Sequence, residues 1–155
     1  MQEEASAMPF TLTSPSFVDG APIPKQFTCD GANITPPLTW TGSPEGTRSF
    51  ALIVEDTDAA DGIFTHWVIY DIPAQTTAWP SDVSSKTIRN SFGRSGYGGP
   101  CPPPGGGAHR YLFTMYAVDV RYLALTDSGL DDLRSALDAH TLAIGHLVGW
   151  YERAG

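Results

Sequence analysis

Three long apolar segments dominate the pattern of hydrophobic and polar positions along the chain. They are Arg48–Glu55 (RSFALIVE), His66–Ile72 (HWVIYDI) and Arg110–Val120 (RYLFTMYAVDV). Apolar segments of this length, rich in β-branched and aromatic residues, predict β-strands. Because nearly every position in them is apolar, they are expected in the middle of a sheet that is covered on both faces.

Weaker signals predict three more strands. Short apolar segments bounded by Pro, Gly or Asn lie at Phe10–Thr13, around Phe27 and at Leu38–Trp40. Turn-forming residues at both ends of a short apolar segment are typical of short strands joined by turns. The N-terminal two thirds of the chain is therefore expected to be built mainly of strands.

A helix is predicted near the C-terminus. It would begin at an N-cap of Asp127 or Ser128 and bury one stripe of leucines, spaced by three and four: Leu130, Leu133 and Leu137. A further helical turn is expected over His140–Ile144, and a final strand over Leu147–Arg153. Strands that come early and helices that come late predict a mostly β, α+β domain.

Length and loop composition bound the architecture. The 155 residues are enough for one domain with a substantial core, and we expect a disordered lead-in over residues 1–8 and a single domain over 9–155. The 16 glycines and 13 prolines exceed average usage. The stretch Asn90–Ala108 is too long for an ordinary connection, so it is either disordered or a functional loop.

Charge and cysteine content narrow the classes of partner and compartment. With 9 Lys and Arg against 17 Asp and Glu, the net charge is −8, which argues against nucleic acid as a partner. No apolar run is long enough for a membrane span, and Met1–Pro9 lacks a signal-peptide pattern, so a cytoplasmic location is expected. The spacing of Cys29 and Cys101 fits no zinc motif. A disulfide between them cannot be deduced from the sequence, and in a reducing compartment free thiols are favoured.

Titratable side chains stand at the ends of the three strongest strands. Asp56 and Asp58 follow the first strand, His66 opens the second, and His109 and Tyr111 open the third. In extended backbone, residues two apart point to the same side. The loop before His109 is rich in Gly and Pro, which allows backbone N–H groups to approach a ligand closely. The pattern predicts a pocket at one edge of the sheet.

An ordered set of motifs resembles the phosphatidylethanolamine-binding protein family, in its bacterial and archaeal Raf-kinase-inhibitor-like branch. The family carries an Asp-Pro-Asp-x-Pro segment, a His a few residues later, and a Gly-x-Pro-x-Pro-Pro loop that leads to His-Arg-Tyr. The corresponding residues are Asp56–Ala60, His66-Trp67, Gly99–Pro103 and His109–Tyr111. The resemblance extends through the segments Phe27–Trp40, Asn90–Pro100 and Leu147–Arg153. It thus covers nearly the whole chain.

The resemblance implies a central antiparallel-rich sheet, a smaller second sheet and C-terminal helices beside a small pocket. In the family this pocket binds phosphate, phosphoryl head groups and carboxylates, and the residues that carry over as ligand-binding are Asp56, Asp58, His66, Pro100, Cys101, His109 and Tyr111. No cofactor and no metal are implied. The expected role is non-enzymatic and regulatory, with a kinase or protease as protein partner and a homodimer as the assembly. Thr57 and Ala60 replace both prolines of the first motif, which removes the rigidity that prolines give a turn.

The residue types support anion binding without the resemblance. Carboxylates beside imidazoles fix the ring tautomers and favour the imidazolium form, which predicts anion binding that strengthens as pH falls. Two alternatives use the same pocket: a metal-dependent hydrolase with Asp and His ligands to zinc or manganese, and a hydrolase with Cys101 as nucleophile. Arg110 lies between His109 and Tyr111 and is expected to form an ion pair with an aspartate.

Overall fold

The computed structural model describes residues 9–127 and 129–154, and the predicted lead-in, residues 1–8, lies outside them. The described residues form nine β-strands and one α-helix. The strands are β1 (Thr11–Thr13), β2 (Ala21–Pro22), β3 (Leu38–Thr41), β4 (Ser49–Asp56), β5 (Phe64–Pro73), β6 (Ala78–Trp79), β7 (Lys86–Thr87), β8 (His109–Val118) and β9 (Thr141–Tyr151). The helix α1 (Leu130–His140) lies between β8 and β9 in the chain. The prediction of a mostly β fold is confirmed.

Six strands form the large sheet, in the order β2-β9-β8-β4-β5-β7. The three segments predicted to be central strands are β4, β5 and β8, and they lie side by side in antiparallel pairs. Every residue of β4 is buried, as are eight of the ten residues of β5. These strands are therefore covered on both faces, as their apolar composition predicts.

A different layer covers each face of the large sheet. On one face lies the small sheet, in the order β1-β3-β6, where the ring of Trp40 meets that of Phe50 edge to face at 5.7 Å. On the other face lies α1, whose buried residues are Leu133 and Leu137. They pack in one apolar cluster with Ile53 of β4. The predicted leucine stripe is thus the face that the helix buries.

Two local predictions near the edges of these layers are wrong. Gly129 is the N-cap of α1 and makes no side-chain cap bond, while the predicted cap Asp127 lies two residues earlier and Ser128 falls outside the described residues. The segment around Phe27 is a short 3-10 helix, Lys25–Phe27, instead of a strand.

None of the described helices is long and apolar enough to cross a membrane.

The segment after α1 is a strand where a further helical turn was predicted. His140–Ile144 contains only the last residue of α1, and the chain continues from Thr141 as β9. This strand pairs with β8 along its whole length and buries Gly145 and Leu147 on the core side. Pairing with a long neighbour outweighs a weak local helical signal. The predicted final strand, Leu147–Arg153, corresponds to the second half of β9, which ends at Tyr151. The described C-terminal residues contain one α-helix, α1, in place of the expected C-terminal helices.

A disulfide joins Cys29 to Cys101, where free thiols were expected. The fold brings two segments 72 residues apart to a Cα–Cα distance of 5.4 Å, a proximity that the spacing of the cysteines could not show. The same contact includes a hydrogen bond from the backbone N–H of Cys29 to the carbonyl oxygen of Pro100, at 3.1 Å. The disulfide therefore ties the long Gly/Pro-rich loop to the 3-10 helix region.

We expect reduction of this disulfide to lower the free energy of unfolding by about 4 kcal/mol, because a cross-link over 72 residues restricts the unfolded chain. Denaturant unfolding with and without a strong reductant measures the change. The matched control is the double variant Cys29→Ala with Cys101→Ala, whose unfolding midpoint should not respond to reductant. An unchanged midpoint in the unmodified protein would contradict the prediction.

Candidate functional site

A pocket of about 440 Å³ lies where β4 ends and where β5 and β8 begin. Of the seven residues predicted to bind a ligand, six line this pocket: Asp56, Asp58, His66, Cys101, His109 and Tyr111. The seventh, Pro100, is buried, is not part of the lining, and uses its carbonyl oxygen to bind the backbone of Cys29. The loop before β8 follows an ordered path and supplies one wall, which includes Pro102 and Pro103. Their role in binding stays a prediction.

Asp56 and His109 form a buried hydrogen-bonded pair in the pocket. Nδ1 of His109 donates to Oδ2 of Asp56 at 2.7 Å, and the two side chains are only 12% and 7% exposed. The other oxygen, Oδ1, accepts the backbone N–H of Asp58 at 2.8 Å. Both carboxylate oxygens are therefore engaged. Because Nδ1 of His109 carries the hydrogen of this bond, Nε2 is the ring nitrogen left for a ligand.

A β-bulge places His66 in the pocket. The register of β4 against β5 changes from Val54–Trp67 to Glu55–Thr65, which leaves His66 as an extra residue in β5. Bulges alter the direction of a side chain and occur next to functional sites. Here the bulge residue lines the pocket. The sequence placed this histidine near the start of a strand but could not show the bulge.

The His66 ring is buried and is bound to the loop that forms the pocket wall. Its Nδ1 lies 2.7 Å from the carbonyl oxygen of Gly98, and the N–H of Gly98 donates to the carbonyl oxygen of His66 at 3.0 Å. A carbonyl oxygen only accepts, so Nδ1 carries the hydrogen and Nε2 is again the remaining ring nitrogen. Burial lowers the pKa of His66 below its ordinary value of 6.5, and the bond to Gly98 opposes this effect. The ring is therefore neutral near neutral pH.

Asn90 organises the loop next to His66, and sequence reasoning missed it. Its Nδ2 donates to the carbonyl oxygen of Gly96 at 3.0 Å, while its Oδ1 accepts the backbone N–H groups of Phe92 and Arg94 at 2.9 and 3.2 Å. An Asn side chain at the start of a Gly-rich loop often satisfies backbone groups in this way, and that is the signal that could have found it.

Asp58 forms an ion pair with Arg110, as expected for an arginine between His109 and Tyr111. Its Oδ2 accepts the backbone N–H and Nε of Arg110 at 2.8 and 3.0 Å, and its Oδ1 accepts Nη2 at 2.9 Å. Hydrogen bonds from the Arg110 side chain and backbone lower the pKa of Asp58 to about 2. Asp58 is therefore ionised, and its charge is balanced at the pocket edge by the guanidinium.

The Tyr111 hydroxyl is buried and makes no hydrogen bond of regular geometry within the part of the chain that the structure describes, although the Asp56 carboxylate lies near it. Burial raises the pKa of Tyr111 far above its ordinary value, and the nearby charge of Asp56 raises it further. The hydroxyl is therefore protonated and is a donor. An unsatisfied buried donor costs free energy, and this one lies in the pocket lining, where a water or another bound molecule can reach it.

Neither hydrolase alternative is supported. Cys101 is bonded to Cys29, so it has no thiol that could act as a nucleophile. Within residues 9–127 and 129–154, no group of three or more His, Cys, Asp or Glu side chains is arranged to hold a metal ion. The Asp and His side chains of the pocket instead bind one another, Arg110 or the backbone.

An apolar rim surrounds these polar groups, and the sequence analysis did not predict it. The rings of Phe64 and Phe92 meet edge to face at 4.8 Å, and Phe92 also lies 5.3 Å from the ring of His66. Ala59 and Ala60 complete this side of the lining. Phe64 precedes His66 by two residues in β5, so strand periodicity was the signal that could have placed it in the pocket.

We expect the ligand-free protein to lose stability relative to a His66→Asn variant as pH falls from about 7.5 to about 5.5. Because the pKa of His66 is lower in the folded state, the unfolded chain takes up a proton first, which favours unfolding below pH 6.5. Asn retains an N–H that can reach Gly98 but does not titrate. Urea unfolding of both proteins at the two pH values measures the effect. A constant difference in stability would contradict the prediction.

Comparisons with known proteins show which family the chain resembles. A family model described as phosphatidylethanolamine-binding protein matches residues 13–152. A UPF0098 protein of Aquifex aeolicus is 46% identical over 148 residues, which cover 90% of this chain and 86% of that protein. A Mycobacterium tuberculosis protein named as a candidate lipoprotein, LppC, is 48% identical over 118 residues, or 74% of this chain and 58% of LppC.

The fold also matches a solved structure. The crystal structure of Escherichia coli YbcL, described as a new member of the mammalian PEBP family, superposes with a TM-score of 0.85. The two chains are 32% identical, and the match covers 94% of this chain and 99% of YbcL. Further relatives, such as a UPF0098 protein of Methanothermobacter thermautotrophicus at 39% identity, are archaeal. The chain therefore belongs to the phosphatidylethanolamine-binding protein family, in its bacterial and archaeal branch.

Proposed function

We propose that this protein binds small oxyanions, such as phosphate, phosphoryl head groups or carboxylates, in the pocket at the ends of β4, β5 and β8. The observation that carries the proposal is the Tyr111 hydroxyl, a buried donor in the pocket lining that makes no hydrogen bond of regular geometry in the described part of the chain. A protonated hydroxyl of this kind forms a strong hydrogen bond to an anionic oxygen.

The two imidazole rings support the same proposal. Nδ1 of His66 and of His109 are both occupied by acceptors within the protein, so each ring has Nε2 left to meet a ligand. A protonated ring donates at Nε2 and adds a positive charge, whereas a neutral ring presents a lone pair there. Binding of an anion therefore favours uptake of protons, and the affinity increases as pH falls.

The charges around the pocket favour a small ligand held by short contacts. Asp56 is paired with His109 and Asp58 with Arg110, so neither carboxylate faces a ligand without a cationic or hydrogen-bonding partner. The whole chain carries a net charge of −8, which repels anions at longer range. We infer a modest affinity that comes from local donors.

The proposed role is binding without catalysis. The described pocket residues offer no thiol, because Cys101 is in the disulfide, and the Tyr111 hydroxyl stays protonated, so neither is an activated nucleophile. A regulatory role, a kinase or protease as partner and a homodimer stay predictions. A cytoplasmic location also stays a prediction. Because the relative LppC is named as a lipoprotein, the location is the first of these predictions to test.

We expect inorganic phosphate to bind more tightly at about pH 5.5 than at about pH 8, because binding that takes up one proton strengthens by about tenfold for each unit of pH lowered. Isothermal titration calorimetry in buffers of different ionisation enthalpy measures both the affinity and the number of protons taken up. Tighter binding at the higher pH would contradict the proposal.

We expect Tyr111→Phe to weaken phosphate binding by about tenfold or more, since a hydrogen bond to a charged group contributes roughly 1.5–3 kcal/mol. The same titration measures the change. His146→Asn is the matched control, because His146 lies on β9, bonds Thr114 and is not part of the pocket lining. The affinity of the His146→Asn variant for phosphate should equal that of the unmodified protein. Equal binding by Tyr111→Phe would argue against the proposed site.

A further inference from the structure

The loop before β8 has two halves that are held in different ways. The first half, residues 96–100, is tied to neighbouring segments by hydrogen bonds. The hydroxyl of Tyr97 donates to the carbonyl oxygen of Phe27 at 2.6 Å, and the backbone N–H of Gly99 donates to Oδ1 of Asn33 at 2.9 Å. This half is therefore held in place without help from the disulfide.

The second half, residues 101–107, has few hydrogen bonds to the rest of the fold. Its three consecutive prolines, at positions 102–104, have no backbone N–H to donate. Within the described residues, hydrogen bonds connect this half to the rest of the fold through Arg153 alone. The carbonyl oxygen of Arg153 accepts the N–H of Gly105 at 2.9 Å, and its Nη1 lies 3.5 Å from Sγ of Cys101 and from the next carbonyl oxygen. The disulfide to Cys29 is thus the strongest connection that this half makes.

The second half of the loop is also a wall of the pocket. Cys101, Pro102, Pro103 and Gly106 all belong to the lining. Breaking the disulfide removes the covalent connection of this wall, and two non-bonded sulfur atoms take up more room than a disulfide. A wall that is free to move has to be ordered again when a ligand binds, and this ordering lowers the affinity.

The disulfide is accessible to a dithiol, because Cys101 is exposed and Cys29 is only half-buried. Nη1 of Arg153, which Asp30 holds in place at 3.2 Å, can donate to a thiolate on Cys101 and so favours Cys101 as the leaving group. A thiolate of the dithiol then bonds to Sγ of Cys29, and the bond between Cys29 and Cys101 breaks. The second thiol of the dithiol displaces Cys29. The dithiol gives up two electrons and two protons and becomes a disulfide, and both cysteines become thiols.

We propose that Cys29 and Cys101 form a reversible redox site that controls the pocket: reduction by a dithiol frees residues 101–107 and weakens ligand binding. Release of the wall goes beyond the proposed anion binding, whereas the effect on affinity rests on it. Because coupling between two sites is reciprocal, a ligand that binds the oxidised form more tightly also protects the disulfide from reduction, by the same factor.

Release of the wall can be tested by nuclear magnetic resonance relaxation of the full chain, labelled with ¹⁵N, before and after reduction with dithiothreitol. We expect the backbone order parameters of Gly105 and Gly106 to fall from about 0.85 to below about 0.6, while that of Ile53 in the buried strand β4 stays near about 0.85. The double variant Cys29→Ala with Cys101→Ala should have a mobile wall with and without reductant. Unchanged order in the wall, an equal loss of order at Ile53, or a response of the double variant to reductant overturns the inference.

The effect on affinity can be tested by calorimetric titration of the oxidised and reduced proteins with inorganic phosphate. We expect reduction to weaken binding by at least about fivefold, the lower end of typical coupling between sites. The double variant should bind like the reduced protein. Equal affinity of the two redox forms overturns this inference and leaves the proposed anion binding intact. Failure of phosphate to bind either form overturns the proposed anion binding, and the order parameters then decide whether reduction releases the wall.

Discussion

The hydrogen bond from Nδ1 of His66 to the carbonyl oxygen of Gly98 is the interaction on which the pocket depends. It joins the bulge in β5 to a loop that has no regular structure, and the return bond from Gly98 N–H to the His66 carbonyl doubles the connection. The same bond determines which ring nitrogen carries the hydrogen. One contact therefore sets both the shape of the pocket wall and the donor and acceptor pattern that a ligand meets.

The rigidity of this site comes from the strand on which it is built. β4 lies between β5 and β8, and all of its residues are buried, so Asp56 at its end is held from both sides. Its register places it opposite Phe64 on one neighbour and Tyr111 on the other. Functional groups at the ends of packed strands are positioned more precisely than groups on loops. The turn after Asp56 lacks both family prolines and is held by two other bonds, from the backbone N–H of Asp58 to Asp56 and from Arg110 to the Asp58 carboxylate.

Much of this arrangement could be predicted from the sequence, and the parts that could not depend on contacts between distant segments. The apolar composition of β4, β5 and β8 predicted that they lie in the middle of the sheet. The alternating direction of side chains along a strand predicted that Arg110 points away from His109 and Tyr111 and forms an ion pair. The bulge at His66 depends on the register of two strands, which no local pattern contains. The Cys29–Cys101 pair depends on the path of two loops. In β9, pairing with β8 outweighed the local signal that predicted a helical turn.

The proposed anion site lies in a chain of net charge −8, so it has to distinguish ligands by something other than a positive field. In this pocket the carboxylates of Asp56 and Asp58 are already bound by His109 and Arg110, so they neither attract nor strongly repel a small ligand. A ligand can therefore meet one hydroxyl donor and two ring nitrogens. Each ring nitrogen donates a hydrogen bond when it carries a proton and accepts one when it does not. Burial lowers the pKa of His66, which opposes a charge on its ring and weakens any attraction that the ring exerts on an anion. The proposed binding therefore depends on the direction of a few local hydrogen bonds more than on total charge.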